Sequence, residues 1–218
     1  MDRHTVDARL DADRAARQAG AVGALSHRLG SEPQLGLVAP RLVSSRGLRQ
    51  FSWSPDVGVV GEALQRLRNL LPGPGRGDIT GRFLKLCSFR GWYTAACLLI
   101  RRDAWHAVMG FDERFFLYFE DADLCHRLRR AGWRSAFAAD AVVVHEGSAG
   151  LRAERERLGE RPSSIEEAYR RSQILYYEKH RPRWEQRVLR SHLRRKYRHE
   201  PELLQRVGLL AGGEEAVP

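Results

Sequence analysis

Long apolar runs are missing from this chain. Its most apolar stretch, Tyr93 to Ile100, falls far short of the roughly 20 residues a membrane-spanning helix needs, so no such helix is expected. The N-terminus, MDRHTVDARLDADRAARQAG, is charged from the start and has no apolar core of a secretory signal. Cysteine is scarce. Cys87, Cys97 and Cys125 are odd in number, lack metal-type spacing and lie partly in apolar or helical runs, which reads as reduced cytosolic thiols. Helix-turn-helix, zinc-finger and RNA-recognition signatures are absent, and the glycine-rich Pro72 to Gly77 lacks the Lys-Ser/Thr ending of a P-loop. The net charge of +10 therefore does not point to nucleic acid. Basic residues gather in the C-terminal tail, whereas an acidic cluster sits near the centre.

What is present suits one domain with a real core, since 218 residues can bury enough apolar surface. The chain is organised around Gly110 to Gly147, GFDERFFLYFEDADLCHRLRRAGWRSAFAADAVVVHEG. Gly110 suits the left-handed turn that ends a helix. Arg114 to Phe119 is too aromatic for a surface loop and is expected to be buried or to line a cleft. Three carboxylates follow within four positions: Glu120, Asp121 and Asp123. Either Asp121 or Asp123 can cap the next helix, which carries Leu124, Leu128 and Ala131 on one face and Asp123 with Arg127 at i,i+4 spacing. Trp133 to Ala138 and Ala141 to His145 read as two strand segments. On their own these acids fit a helix cap plus a solvated pair, and a histidine at a strand end fits a structural role. Acids behind an aromatic wall, with a histidine closing a later strand, also fit a base and a metal ligand placed near one another.

The stretches Cys97 to Arg102, Gly110 to Glu113, Phe116 to Cys125, Arg127-Leu128, Ala131 to Trp133 and Val142 to His145 resemble the second half of a family 2 glycosyltransferase, in its rhamnosyltransferase- and galactofuranosyltransferase-like branch. The likeness runs over about residues 5 to 185 and is densest from Thr94 to Gly147. It implies an α/β fold, a partial GT-A mixed sheet flanked by helices with a C-terminal helical tail. It also implies inverting transfer of a sugar from a nucleotide-diphosphate donor to a hydroxyl of a saccharide or lipid-linked acceptor. Asp121, with Glu120 beside it, would be the catalytic acid pair, Asp121 taking the acceptor proton. A divalent metal, Mg or Mn, would neutralise the leaving diphosphate. The candidate metal ligands are His145 and, at the last acid of the family's early motif, Asp7, with Thr5 in place of that motif's first acid. Candidate substrate-binding residues are Trp92, Tyr93, Thr94, Ala95, Asp123 and Arg127. Ala95 stands where many members have glycine.

Leu10 to Leu29 reads as a helix, Leu35 to Leu42 as a strand similar to the family's "VGLVGPRL", and Asp103 as the cap of a helix from Ala104 to Met109. Leu64, Leu67, Leu70 and Leu71 are spaced as on a packing helix. The family's nucleotide-holding strands lie ahead of the point where this sequence starts. Residues 1–150 are therefore expected to be a truncated GT-A domain and 151–218 a basic helical tail. Such a chain is a shortened or split transferase, one whose missing half a protein partner supplies, or an inactive remnant acting by association. Ser172 to His180 resembles the family's C-terminal helix. From Arg181 to Arg198, Trp184, Val188, Leu189, Leu193 and Tyr197 keep helical spacing among arginines. That segment either lies on an anionic membrane surface or packs its stripe on the domain. The expected location is cytoplasmic, peripheral on the inner face of the membrane.

Overall fold

The computed structural model describes residues 20–50, 52–63, 91–145 and 162–210. Asp7, Cys87, the expected helix through Leu64 to Leu71, the Pro72 to Gly77 stretch and the first residues of the expected tail, 151–161, lie outside them. In chain order the elements are a helix over 20–31 (α1), β1 (Leu35–Val43), β2 (Trp53–Pro55), one helical turn over 59–63, β3 (Gly91–Tyr93), β4 (Leu99–Ile100), α2 (Arg102–Ala107), α3 (Glu120–Arg130), β5 (Arg134–Val144), α4 (Pro162–His180), α5 (Arg183–Lys196) and α6 (Pro201–Arg206). The chain divides into two compact units. The first takes its described residues from 20–56, 91–112 and 121–145, and the second from 57–63, 113–120 and 162–210.

The first unit is a mixed α/β layer. Its sheet runs β4-β1-β5, with β1 antiparallel to β4 and parallel to β5. A small mixed sheet flanked by helices is the partial GT-A fold expected from the sequence. The central strand reads LGLVAPRLV and is buried at every position but Arg41, as a strand covered on both faces must be. Leu37 and Ala39 pack with Ala104, Val108, Leu124, Cys125 and Leu128 against α2 and α3. Leu35 and Val38 pack with Ala21, Leu25, Ala138 and Ala141 against α1. Arg101 joins these parts, since its guanidinium donates to the carbonyls of Leu35 (2.8 Å) and Leu29 (2.6 Å). A helix end and a strand start thus share one cation.

Several expectations are corrected. The two strand segments after Trp133 are one strand, Arg134–Val144, whose extra residues are absorbed where Pro40 pairs Ala138 and Arg41 pairs Val142. Across the apolar stretch Tyr93 to Ile100, regular strand is found in Gly91–Tyr93 at its start and again only at Leu99–Ile100. The helix expected from Ala104 starts two residues earlier, at Arg102, with Arg101 as its N-cap and no side-chain cap bond; Asp103 is a first-turn acid. The helix ends at Ala107 with Val108 as its C-cap; the left-handed residue that follows is Met109 (φ +58°), and Gly110, one position later at φ +69°, places its amide on the Trp105 carbonyl (3.0 Å).

The second unit is helical. The Tyr177 hydroxyl donates to Glu62 (2.8 Å), Gln173 Nε2 donates to the same oxygen (3.1 Å), and Glu185 accepts the Val59 amide (2.9 Å). These bonds clamp the turn over 59–63 onto α4 and α5. Arg170, Glu166 and Tyr197 form a second polar cluster. The expected aromatic wall is only partly buried: Phe115 is inside, Phe116 is exposed. The apolar stripe of 181–198 splits as well. Leu189, Leu193 and Tyr197 are buried, whereas Trp184 and Val188 are 54% and 46% exposed.

Gly36 lies in the register irregularity of β1, between Leu35 and Leu37. A Cβ there would stand 2.8 Å from Trp133 Cβ and 2.9 Å from Ala104 Cβ. Gly36→Ala is therefore expected to cost about 1–3 kcal/mol by overpacking, read as a lower urea midpoint, and Ala104→Gly in the same chain should restore part of it. A single variant with an unchanged midpoint would show that the α2–β1 contact is looser than these distances.

Candidate functional site

Of the acids singled out in the sequence, Asp121 is held most tightly by backbone. It is 8% exposed. Its Oδ1 accepts the Ala122 amide (2.8 Å) and its Oδ2 the Ala95 amide (3.3 Å). Two segments 26 residues apart, Trp92 to Ala95 and the start of α3, thus meet at one carboxylate. The first segment is fixed in turn: Trp92 and Tyr93 belong to β3, paired with β2 at Ser54 and Trp53, and the Thr94 amide donates to the Ser52 carbonyl (3.2 Å). Helix α3 begins at Glu120, so Asp121 sits inside its first turn and satisfies an orphan amide there. Asp123 does not cap the helix.

Asp123 is fully buried, and its Oδ2 pairs with Arg127 Nε at 2.6 Å. Arg127 also donates to the Val108 carbonyl at the end of α2. A buried carboxylate of this kind is tolerated because its charge is matched and its oxygens bonded. The pair ties α2 to α3, and the expected i,i+4 spacing is real. Arg129 adds a second tie, donating to the Gly91 carbonyl and Asp56, both at 3.1 Å.

Cys125 lies one helical turn after Asp121. Its sulfur accepts the Tyr93 amide at 3.4 Å, and burial, more than any neighbour, pushes the thiol up to about 12. A thiol that stays protonated at neutral pH is no nucleophile; this one is an anchor for β3. Burial, with the nearby Cys125, likewise pushes the Tyr93 phenol up to about 12, so it stays neutral.

Glu120 is different. Among the described residues its Oε2 is buried with no hydrogen-bond partner. Burial raises its carboxyl above the ordinary 4.5, opposed in part by its own amide. The two residues before it, Tyr118 and Phe119, have φ of +65° and +67°. Non-glycine residues seldom adopt that region, and here it is held by ring contacts to Tyr169 (5.3 and 5.1 Å between centroids).

His145 closes β5. Its amide donates to the Val43 carbonyl (2.8 Å) and its Nδ1 stands 2.9 Å from Gln50 Oε1. Gln50, 95 positions away and at the end of a stretch that resembles the family's turn, is not among the expected site residues. Among the described residues no group of three or more His, Cys, Asp or Glu is placed to hold a metal. As a test of the implied divalent cation, the donor chemistry of His145 fits a single ligand, an imidazole at a strand end with one ring nitrogen already engaged. Asp7 is outside the described residues.

The raised carboxyl of Glu120 makes a signed prediction. With the native value above the unfolded one, the ionised group costs stability above the native value, and the cost disappears as pH falls through it toward 4.5. Glu120→Gln is therefore expected to raise the urea midpoint at pH 7 and to leave it unchanged below pH 4.5. A loss of stability at pH 7 would mean that the carboxylate has a favourable partner.

With this geometry in place, residues 82–184 match the family described as "Glycosyltransferase like family 2". The chain is 38% identical over 104 residues to the N-acetylglucosaminyl-diphospho-decaprenol L-rhamnosyltransferase of Mycobacterium tuberculosis, covering 48% of this chain and 32% of that protein. It is 32% identical over 127 residues to the O-antigen biosynthesis protein RfbC of Myxococcus xanthus, covering 56% and 9%. It is 37% identical over 54 residues to the rhamnosyltransferase WbbL of Escherichia coli, covering 25% and 20%. No solved structure matches at a significant level. The chain spans about a third of the length of the mycobacterial relative. Residues 82–184, the stretch that is similar to this family, hold the Asp121–Ala95 contact, the Asp123–Arg127 pair and His145.

Proposed function

We propose that the chain carries the acceptor-side part of an inverting glycosyltransferase of polysaccharide or cell-envelope biosynthesis. Its donor is a nucleotide-diphosphate sugar, and its acceptor is a hydroxyl of a saccharide or lipid-linked saccharide. The observation that carries this reading is the Asp121 carboxylate, bonded to the amide of Ala95 in the segment the family places beside the donor sugar. A base need only be oriented within hydrogen-bond reach of the proton it takes, and two backbone amides orient this one. The relatives' printed names, a rhamnosyltransferase and an O-antigen biosynthesis protein, support the class.

In this mechanism Asp121 accepts the proton of the acceptor hydroxyl as its oxygen bonds to the anomeric carbon. The bond from that carbon to the nucleoside diphosphate breaks, and its electron pair leaves with the phosphate oxygen. Trp92 to Ala95 line the donor side. Asp123 and Arg127, neutralising one another, hold α3 so that Asp121 keeps its place. A bound divalent cation, Mg or Mn, would offset the charge of the departing diphosphate, and His145 and Asp7 are the residues that would hold it.

We further propose that α5 rests on an anionic membrane surface. Among the described residues no helix is long and apolar enough to cross a membrane. Trp184 and Val188, one turn apart and exposed, are flanked by the exposed Arg183, Arg187 and Arg195. An exposed indole beside arginines suits a headgroup layer. This surface would bring a lipid-linked acceptor within reach.

Two outcomes are expected. Asp121→Asn keeps an oxygen for only one of the two amides and removes the base, so transfer from nucleotide sugars should fall about 10²–10⁴-fold in protein that still melts cooperatively, at a somewhat lower midpoint; retained transfer would sink the assignment. In sedimentation with vesicles, the protein should bind those containing phosphatidylserine and leave pure phosphatidylcholine in solution. Each of Arg187→Gln and Arg195→Gln should weaken binding about fivefold, from about 1 kcal/mol per basic residue. Equal binding to both vesicles, or none, would remove α5 as the contact.

A further inference from the structure

Two successive carbonyls at the end of β1 hold Gln50 and His145 side by side. The Gln50 amide donates to the Leu42 carbonyl and the His145 amide to the Val43 carbonyl, both at 2.8 Å. Between them the chain reverses through Ser44 to Leu48. The Ser44 amide donates to Leu48, the Gly47 amide to Ser44, and Ser44 Oγ accepts the Leu48 amide. Gly47 supplies the φ of +74° that this turn requires. Gln50 thus reaches His145 from a tight turn closed by the Val43–Arg49 bridge.

The side chains then meet twice. Gln50 Nε2 donates to the His145 main-chain carbonyl at 2.8 Å, and Gln50 Oε1 faces His145 Nδ1 at 2.9 Å. The first bond decides the second. A carbonyl oxygen only accepts, so the NH₂ end of the amide must point to it. The end facing the ring is then the amide oxygen, which also only accepts. Nδ1 must therefore carry the hydrogen. In a neutral imidazole only one nitrogen does, which leaves the lone pair on Nε2. Turning the ring over would put Nδ1 out of reach of Oε1.

From this geometry we infer that Gln50 is a positioning residue: it locks His145 in the Nδ1–H tautomer and presents the Nε2 lone pair as a ready ligand for a divalent cation. The tautomer follows from the two bonds alone, whereas the cation rests on the proposed transferase reading. A half-buried histidine packed for structure also bonds its ring hydrogen, so the clamp serves the fold as well. For a metal-binding histidine it does more, because an outer partner that fixes tautomer and ring angle removes a cost from binding.

The test uses the full chain labelled with ¹⁵N-histidine, read by long-range ¹H–¹⁵N correlation, with the His145 signals among the 8 histidines identified by their loss in His145→Gln. The wild type should show a protonated Nδ1 and an unprotonated Nε2. Gln50→Leu, checked for folding by its melting curve, should shift His145 toward the Nε2–H form. Gln50→Glu, whose oxygens only accept, should keep the hydrogen on Nδ1. Added Mn²⁺ should broaden the Nε2 signals of the wild type, and Gln50→Leu should need about 10–100-fold more of it. An Nε2–H tautomer in the wild type, or one untouched by Gln50→Leu, overturns the lock. An Nδ1–H tautomer with no response to Mn²⁺ upholds the lock and overturns the cation, leaving transfer by Asp121 to its own test.

Discussion

Parallel pairing of β1 with β5 is the constraint from which the first unit follows. Buried at all but one position, β1 has no water for its amides and carbonyls, so every one must find a protein partner. Along most of its length β5 and β4 supply them. At its two ends the ladder runs out, and there the specific residues appear. The Leu35 carbonyl takes Arg101, while the Leu42 and Val43 carbonyls take the amides of Gln50 and His145. Leu42 closes the account with its own amide, donated to Ser52 Oγ at 3.0 Å. The side chains of the His145 clamp are where they are because a buried strand end leaves two carbonyls to satisfy.

How much of this the sequence reveals depends on the range of the interaction. The strand at Leu35, the left-handed turn at Gly110 and the Asp123–Arg127 spacing are local, written in burial pattern, glycine placement and i,i+4 geometry. Whether that ion pair is buried is not local. Identical spacing serves a solvated surface pair, and only the Val108 carbonyl and the packing of Leu124 and Leu128 make it an interior tie. Nothing local pairs Gln50 with His145, since that partner is 95 residues on. The splitting of the α5 stripe has a simpler cause. Val188 and Leu189 are neighbours in sequence but about 100° apart around a helix, so residues that looked like one stripe are two faces. One is spent on packing and the other is exposed.

Asp121 makes one contact more than a helix cap needs. A carboxylate that only capped α3 would need one amide, and Ala122 provides it. The second oxygen reaches across to Ala95, at the end of a short strand that Cys125 also anchors. Helix capping does not require that contact. It does place the acid against Trp92 to Ala95, where aromatic rings and a small residue stand together.

The approach to that acid is strained in a way the sequence hides. Two consecutive aromatic residues, Tyr118 and Phe119, take φ values that cost roughly 1–2 kcal/mol each for residues with a Cβ. Glycine would relieve this and is not used. The rings explain why: both pack on Tyr169, Phe119 also meets Tyr176 at 5.9 Å, and Ser172 Oγ donates to the Leu117 carbonyl at 2.8 Å. Aromatic burial on α4 thus offsets backbone strain, and the product is an abrupt turn into Glu120. A glycine pair would make the same turn without the rings, and the turn would then be free to relax. Strain held in place by packing, one residue before a buried carboxyl with an unbonded oxygen, fixes the backbone at the point where the acids begin.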